Sequence, residues 1–106
     1  MFNAETVAAI IDMPQEDFEK QVSDENLSIG QISNLTVFLE GVYAQLIHMK
    51  DGVMNLVMSG EREKDDPEIV KNLTGIYAEL TKIELKVVFL KNRRKEIVSM
   101  TEKSHS

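Results

Sequence analysis

From Ile32 the apolar residues Leu35, Leu39, Val42, Leu46, Met49, Val53 and Leu56 follow at alternating steps of three and four, the spacing of a heptad seam along one helix face. A second run, Ile69, Leu73, Ile76, Leu80, Ile83, Val87, Leu90, Arg94 and Ile97, alternates steps of four and three, with Arg94 as its one charged member. The start of the first helix is also written in the chain. Ser28 and Gln31 fit an S-x-x-Q capping box, and Leu27 and Ile32 occupy the flanking positions of a hydrophobic staple. The spacing therefore predicts a helix over 29–59, ~46 Å long at ~1.5 Å per residue.

Gly41 and Gly52 lie inside that helix, each costing ~1 kcal/mol relative to Ala. Val53 and Leu56 stay in phase beyond them, so the helix is expected to continue. Residues 59–65 form a polar, charged turn, and Asp66-Pro67 then supplies an N-cap followed by proline at the first helical position. A second long helix is expected from there to about residue 100. Lys82 to Val88 alternates like a strand, but no turn signal bounds it, and length decides for helix.

Two helices of matching length joined by a short link predict an all-α fold built on a long antiparallel hairpin, packed at the shallow coiled-coil angle. Such a hairpin would place Leu90 near Thr36 and Arg94 near Ile32. Ahead of it, Asn3 can cap a short helix carrying Val7, Ile10 and Ile11. Pro14 can open another carrying Phe18 and Val22, ended by Ser23-Asp24-Glu25-Asn26. The chain thus divides into an acidic short-helix segment, 1–27, the hairpin, 28–100, and a frayed tail, 101–106.

A hairpin hides one stripe per helix, and several apolar residues fall outside the seams. Tyr43, Ile47, Met54 and Val57 make a second stripe on the first long helix, and Leu85, Val88 and Phe89 leave part of the second apolar all round. An all-round apolar segment must be covered on more than one side, and two short helices offer too little to do it. These seven residues are the expected interface of a homo-oligomer, a dimer or higher, in which the hairpins join a multi-chain helical bundle. Gly30, Gly41 and Gly52, spaced by 11, return to nearly one face; they either admit a close neighbour or are tolerated surface glycines.

Composition narrows the chemistry. One small domain is expected from 106 residues, and zero Cys excludes disulfides and thiolate chemistry. No apolar run approaches ~20 residues and no basic leader precedes an apolar stretch, so neither a membrane span nor a signal peptide is expected, and a cytoplasmic location follows. His48 and His105 have no second His at helical ligand spacing, and Glu16-Asp17 and Asp65-Asp66 stand where helix starts and turns place carboxylates. There is no phosphate loop, nucleophile elbow or EF-hand spacing. No enzymatic activity, cofactor or metal is expected.

The net charge of -6 is unevenly spread: residues 1–28 carry 7 acidic and 1 basic side chains, while Lys91, Arg93, Arg94 and Lys95 concentrate positive charge near the end of the last helix. Pairing with the acidic N-terminal segment or with another subunit is the plain expectation. The alternative is phosphate binding by an oligomeric nucleic-acid-handling subunit. In that case the shape resembles the helical-hairpin oligomerisation core of small packaging-terminase subunits, and the resemblance implies an oligomer arraying these four residues around a rim.

Taken together, the sequence points to a non-enzymatic, self-associating interaction or assembly protein acting through apolar helix faces. Many proteins of this shape are encoded by viruses. A monomeric adaptor or inhibitor, giving the same face to a different protein, is the third possibility.

Overall fold

The computed structural model describes the backbone of residues 9–105 and the side chains of residues 9–100. It is all-helical, with no strand among the described residues. Helix α1 is described over residues 9–12; α2 spans Gln15–Glu25, α3 Ile29–Met58 and α4 Pro67–His105. Both α2 and α3 pack against α4. The body measures 61 × 24 × 22 Å. Its long dimension is set by α4, whose 39 residues rise ~1.5 Å each. Asn3 and Val7, expected in the first short helix, lie outside the described residues.

Local chemistry accounts for each boundary. Pro14 stands at the N-cap of α2, one position earlier than a proline that opens the first turn, and Asn26 closes the helix in the left-handed conformation at φ 50. Asn tolerates that conformation because its short polar side chain can bond locally. The capping box of α3 forms in full: the Gln31 N–H donates to Ser28 Oγ at 3.2 Å and the Ser28 N–H donates to Gln31 Oε1 at 2.9 Å. At its other end the Gly60 N–H donates to the Val57 carbonyl at 3.1 Å, with Gly60 at φ +81. Asp66 Oδ1 accepts from the Glu68 N–H at 2.9 Å and starts α4. Arg62 holds the turn by ion pairs to Asp66 at 3.4 Å and Glu68 at 2.6 Å.

Helix α3 runs unbroken through Gly41 and Gly52, and a Cβ at either would meet nothing within 4 Å. Within the chain these are surface glycines. Helix α4 continues past the end expected near residue 100, through the tail, to His105.

The main core gathers at the end away from the turn, where Ile11, Phe18 and Val22 meet Ile32, Leu35 and Leu39 of α3 and Ile83 and Leu90 of α4. Each such side chain contributes ~1.5–3 kcal/mol on burial. Towards the turn, α4 buries Ile69, Ile76 and Leu80.

The two seams do not hold along their whole length. Met49 and Leu56 of the first are exposed, while Lys50 and Val57, one position further on, are half-buried. An α-helix of 3.6 residues per turn drifts ~20° per heptad away from a 3.5-residue repeat unless it supercoils, and the shift has that direction. In the second seam Arg94 is exposed and Lys86, outside the seam, is buried.

Lys91 lies 3.5 Å from Glu40, and Thr36 shares a groove with Lys91 and Arg94. The link is asymmetric, because the Gly60 and Arg62 N–H groups remain bonded to carbonyls in the last turn of α3 and the reversal comes late.

Replacing Ile83 with Asp should unfold the chain, since an unpaired buried carboxylate costs several kcal/mol. Ser28→Ala should cost about 1 kcal/mol through the lost cap. Urea titration followed by circular dichroism measures both; an Ile83→Asp protein as stable as the parent would contradict this packing.

Candidate interaction surface

Helix α2 covers one side of α4. The rings of Phe18 and Phe89 meet edge to face, with centroids 6.0 Å apart and an interplanar angle of 73°. Such pairs contribute ~0.5–1.5 kcal/mol beyond area burial. Gln15 Nε2 donates to the Leu85 carbonyl at 3.3 Å. Phe89, expected at the interface between chains, therefore packs against α2 of its own chain.

Lys86 is buried in the same place, with its Nζ 5.6 Å from the Phe18 ring centroid. Desolvation, reinforced by the nearby charge of Lys82, pushes its amine below the ordinary value of 10.5, against the opposing pull of Glu79 and Asp12. Hydrophobic periodicity missed this residue, since Lys86 carries charge and the pattern counts apolar positions. Its aliphatic stem nevertheless suits a buried path beside an aromatic ring.

Among the described residues, nothing gives the opposite side of α4 such cover. Tyr43 of α3 and Val88 of α4 line one depression together with Glu40, Glu84, Val87 and Lys91. Ile47 and Met54 return to the Tyr43 face of α3, and Val70 and Tyr77 return to the Val88 face of α4, by helical periodicity. Val70, Tyr77, Leu85 and Val88 are each about half exposed, at 49, 50, 52 and 51%. Met54 is exposed, and Tyr43, Ile47 and Val57 are half-buried. Of the expected interface residues, Tyr43, Ile47, Met54 and Val88 thus share one open side. Val70 and Tyr77 belong with them, and their spacing from Val88 could have revealed them. Only Glu40, Lys50 and Asp51 carry charge in all of α3.

Among the described residues, no ion pair links the basic cluster to the acidic N-terminal segment. Lys91 pairs with Glu40, and Arg93 pairs with Glu96 at 3.2 Å on its own helix. Arg94 and Lys95 are exposed and make no ion pair with a described residue. Lys91, Arg94 and Lys95 line a depression with Val98 and Ser99. At the far end of α3, Glu61, Arg62, Glu63, Asp65, Asp66 and Glu68 line another around the turn.

His48 is exposed on α3, and the side chain of His105 lies outside the described residues. Among the described residues no group of three or more His, Cys, Asp and Glu side chains is placed to hold a metal ion. No described helix is long and apolar enough to cross a membrane. Comparison with protein-family models, curated proteins and solved structures gave no match.

The Lys86 geometry carries a pH test. The unfolded chain binds this proton more tightly than the folded chain, so stability should rise with pH between the lowered value and 10.5. Urea denaturation of the parent and of Lys86→Met across the alkaline range isolates the effect: the parent should gain stability relative to the variant as pH rises. A constant difference would show that burial does not perturb the amine.

Proposed function

We propose that this chain is a non-enzymatic, self-associating interaction protein, in which α3 and α4 form an antiparallel hairpin and a second copy covers the side turned away from α2. The open apolar side carries the proposal: Tyr43, Ile47 and Met54 of α3 lie alongside Val70, Tyr77 and Val88 of α4 on a rod with little charge on α3. Contiguous apolar surface of this kind marks an association site on a soluble protein. Half-buried Tyr residues suit such a site, since an apolar ring is buried while the hydroxyl keeps a polar partner. Two hairpins meeting on this side give a four-helix layer, with α2 on the outside.

A second reading rests on Arg94 and Lys95. Exposed cations that make no ion pair with a described residue, beside Lys91, suit the sequence-independent part of nucleic-acid affinity. The net charge of -6 and the absence of an aromatic residue within 91–95 favour association between chains over this alternative.

Light scattering coupled to size exclusion should find a mass at or above twice the 12.0 kDa of one chain. Tyr77→Lys combined with Val88→Lys should return the protein to one-chain mass with its helical circular dichroism retained, because both side chains are already half exposed. A parent protein that elutes as a single 12.0 kDa chain at every concentration would overturn the proposal.

A further inference from the structure

Two charged patches of opposite sign stand apart along α4 and the turn before it, while Glu16, Asp17 and Asp24, exposed and without an ion pair to a described residue, lie on α2. At the turn, Glu61, Glu63 and Asp65 make no ion pair with a described residue, while the cation between them, Arg62, is taken up by Asp66 and Glu68; Lys64 alone offsets the surplus. Towards the other end of α4, Arg94 and Lys95 make no ion pair with a described residue, and among the described residues Lys91 pairs with the partly exposed Glu40. The two patches are ~42 Å apart along α4, from its start at residue 67 to residue 95.

Resting on self-association through the open apolar side, we infer that the second copy lies antiparallel to the first, with the acidic turn of each chain seated against the Lys91, Arg94 and Lys95 depression of the other. One two-fold axis then makes both charge contacts at once, as an isologous interface requires. Arg94 and Lys91 also line the groove with Thr36, Val37 and Glu40 that continues into the Tyr43 and Val88 depression, so the basic patch adjoins the apolar side. The axis falls midway between the patches, near residue 80 of α4. Val70 and Tyr77 lie on one side of that point and Val88 on the other, so apolar groups stand on both sides of it. A parallel pair would instead set cations on cations and carboxylates on carboxylates. Like charges so placed across an interface oppose association, and they would do so at both ends.

The chain has no cysteine, so single introduced thiols report orientation without background. Glu63→Cys and Ser99→Cys proteins, mixed and mildly oxidised at about 50 mM salt, should give chiefly the mixed disulfide between residues 63 and 99. In parallel, Arg94→Glu with Lys95→Glu should weaken association about tenfold at low salt. Glu61→Lys with Glu63→Lys should do the same, and mixing the two charge variants should restore association. If Ser99→Cys couples chiefly to itself while light scattering still reports a dimer, the antiparallel arrangement is wrong and self-association stands. A protein that stays at one-chain mass removes the preceding reading as well. If Arg94→Glu with Lys95→Glu leaves the dimer intact but abolishes retention of a random DNA duplex, the patch serves nucleic acid, and the inference is overturned.

Discussion

A helix can turn only one stripe of its surface towards a single neighbour, and that constraint governs this molecule. Helix α4 is apolar over more of its circumference than α3 can cover. The chain answers by laying α2 across a second side of it, where Phe18 reaches Phe89 and covers Lys86. The third side, through Val70, Tyr77 and Val88, has no cover from α2 among the described residues. The division of labour among the helices follows: α3 supplies the long-range contact and α2 a local cover. In the proposed self-association, that uncovered side is the one a second copy packs against.

The cover is built differently from the core beneath it. Ile32, Leu39, Ile83 and Leu90 are buried without a polar atom in the side chain, so their burial is favourable throughout. Under α2 the buried set includes an ammonium group, whose desolvation opposes burial even with an aromatic face beside it. The contact of α2 with α4 therefore combines a favourable aromatic pair with an unfavourable charged one. Its net contribution to stability is smaller than the same area of the α3–α4 contact.

What could be read from the sequence was what depends on neighbours along the chain. The Ser28 capping box, the Asp66 cap, the continuity of α3 through Gly41 and Gly52 and the helical placement of Phe18 and Val22 are all local, and each is found in the structure. What depends on contacts between distant segments was hidden. Nothing in the spacing of α4 says that Phe89 meets Phe18 and Leu85 lends its carbonyl to Gln15, because those facts depend on where α2 lies. The seam failed at Met49, Leu56 and Arg94 because an ideal heptad presumes a supercoil that an α-helix adopts only when its partner follows it.

In the proposed pairing, the charged patches at the turn and at Lys91, Arg94 and Lys95 supply the direction that apolar contact by itself does not specify. A smooth side with Tyr43, Ile47 and Met54 on one helix and Val70, Tyr77 and Val88 on the other could accept a second copy in either orientation with similar burial. At physiological ionic strength charges interact over roughly 8 Å, so the two patches act only on what lies against them, and act almost independently of each other. Each patch thus discriminates locally between a like and an unlike neighbour. Because the patches differ in sign and stand apart along α4, the two local choices agree for only one orientation of the partner.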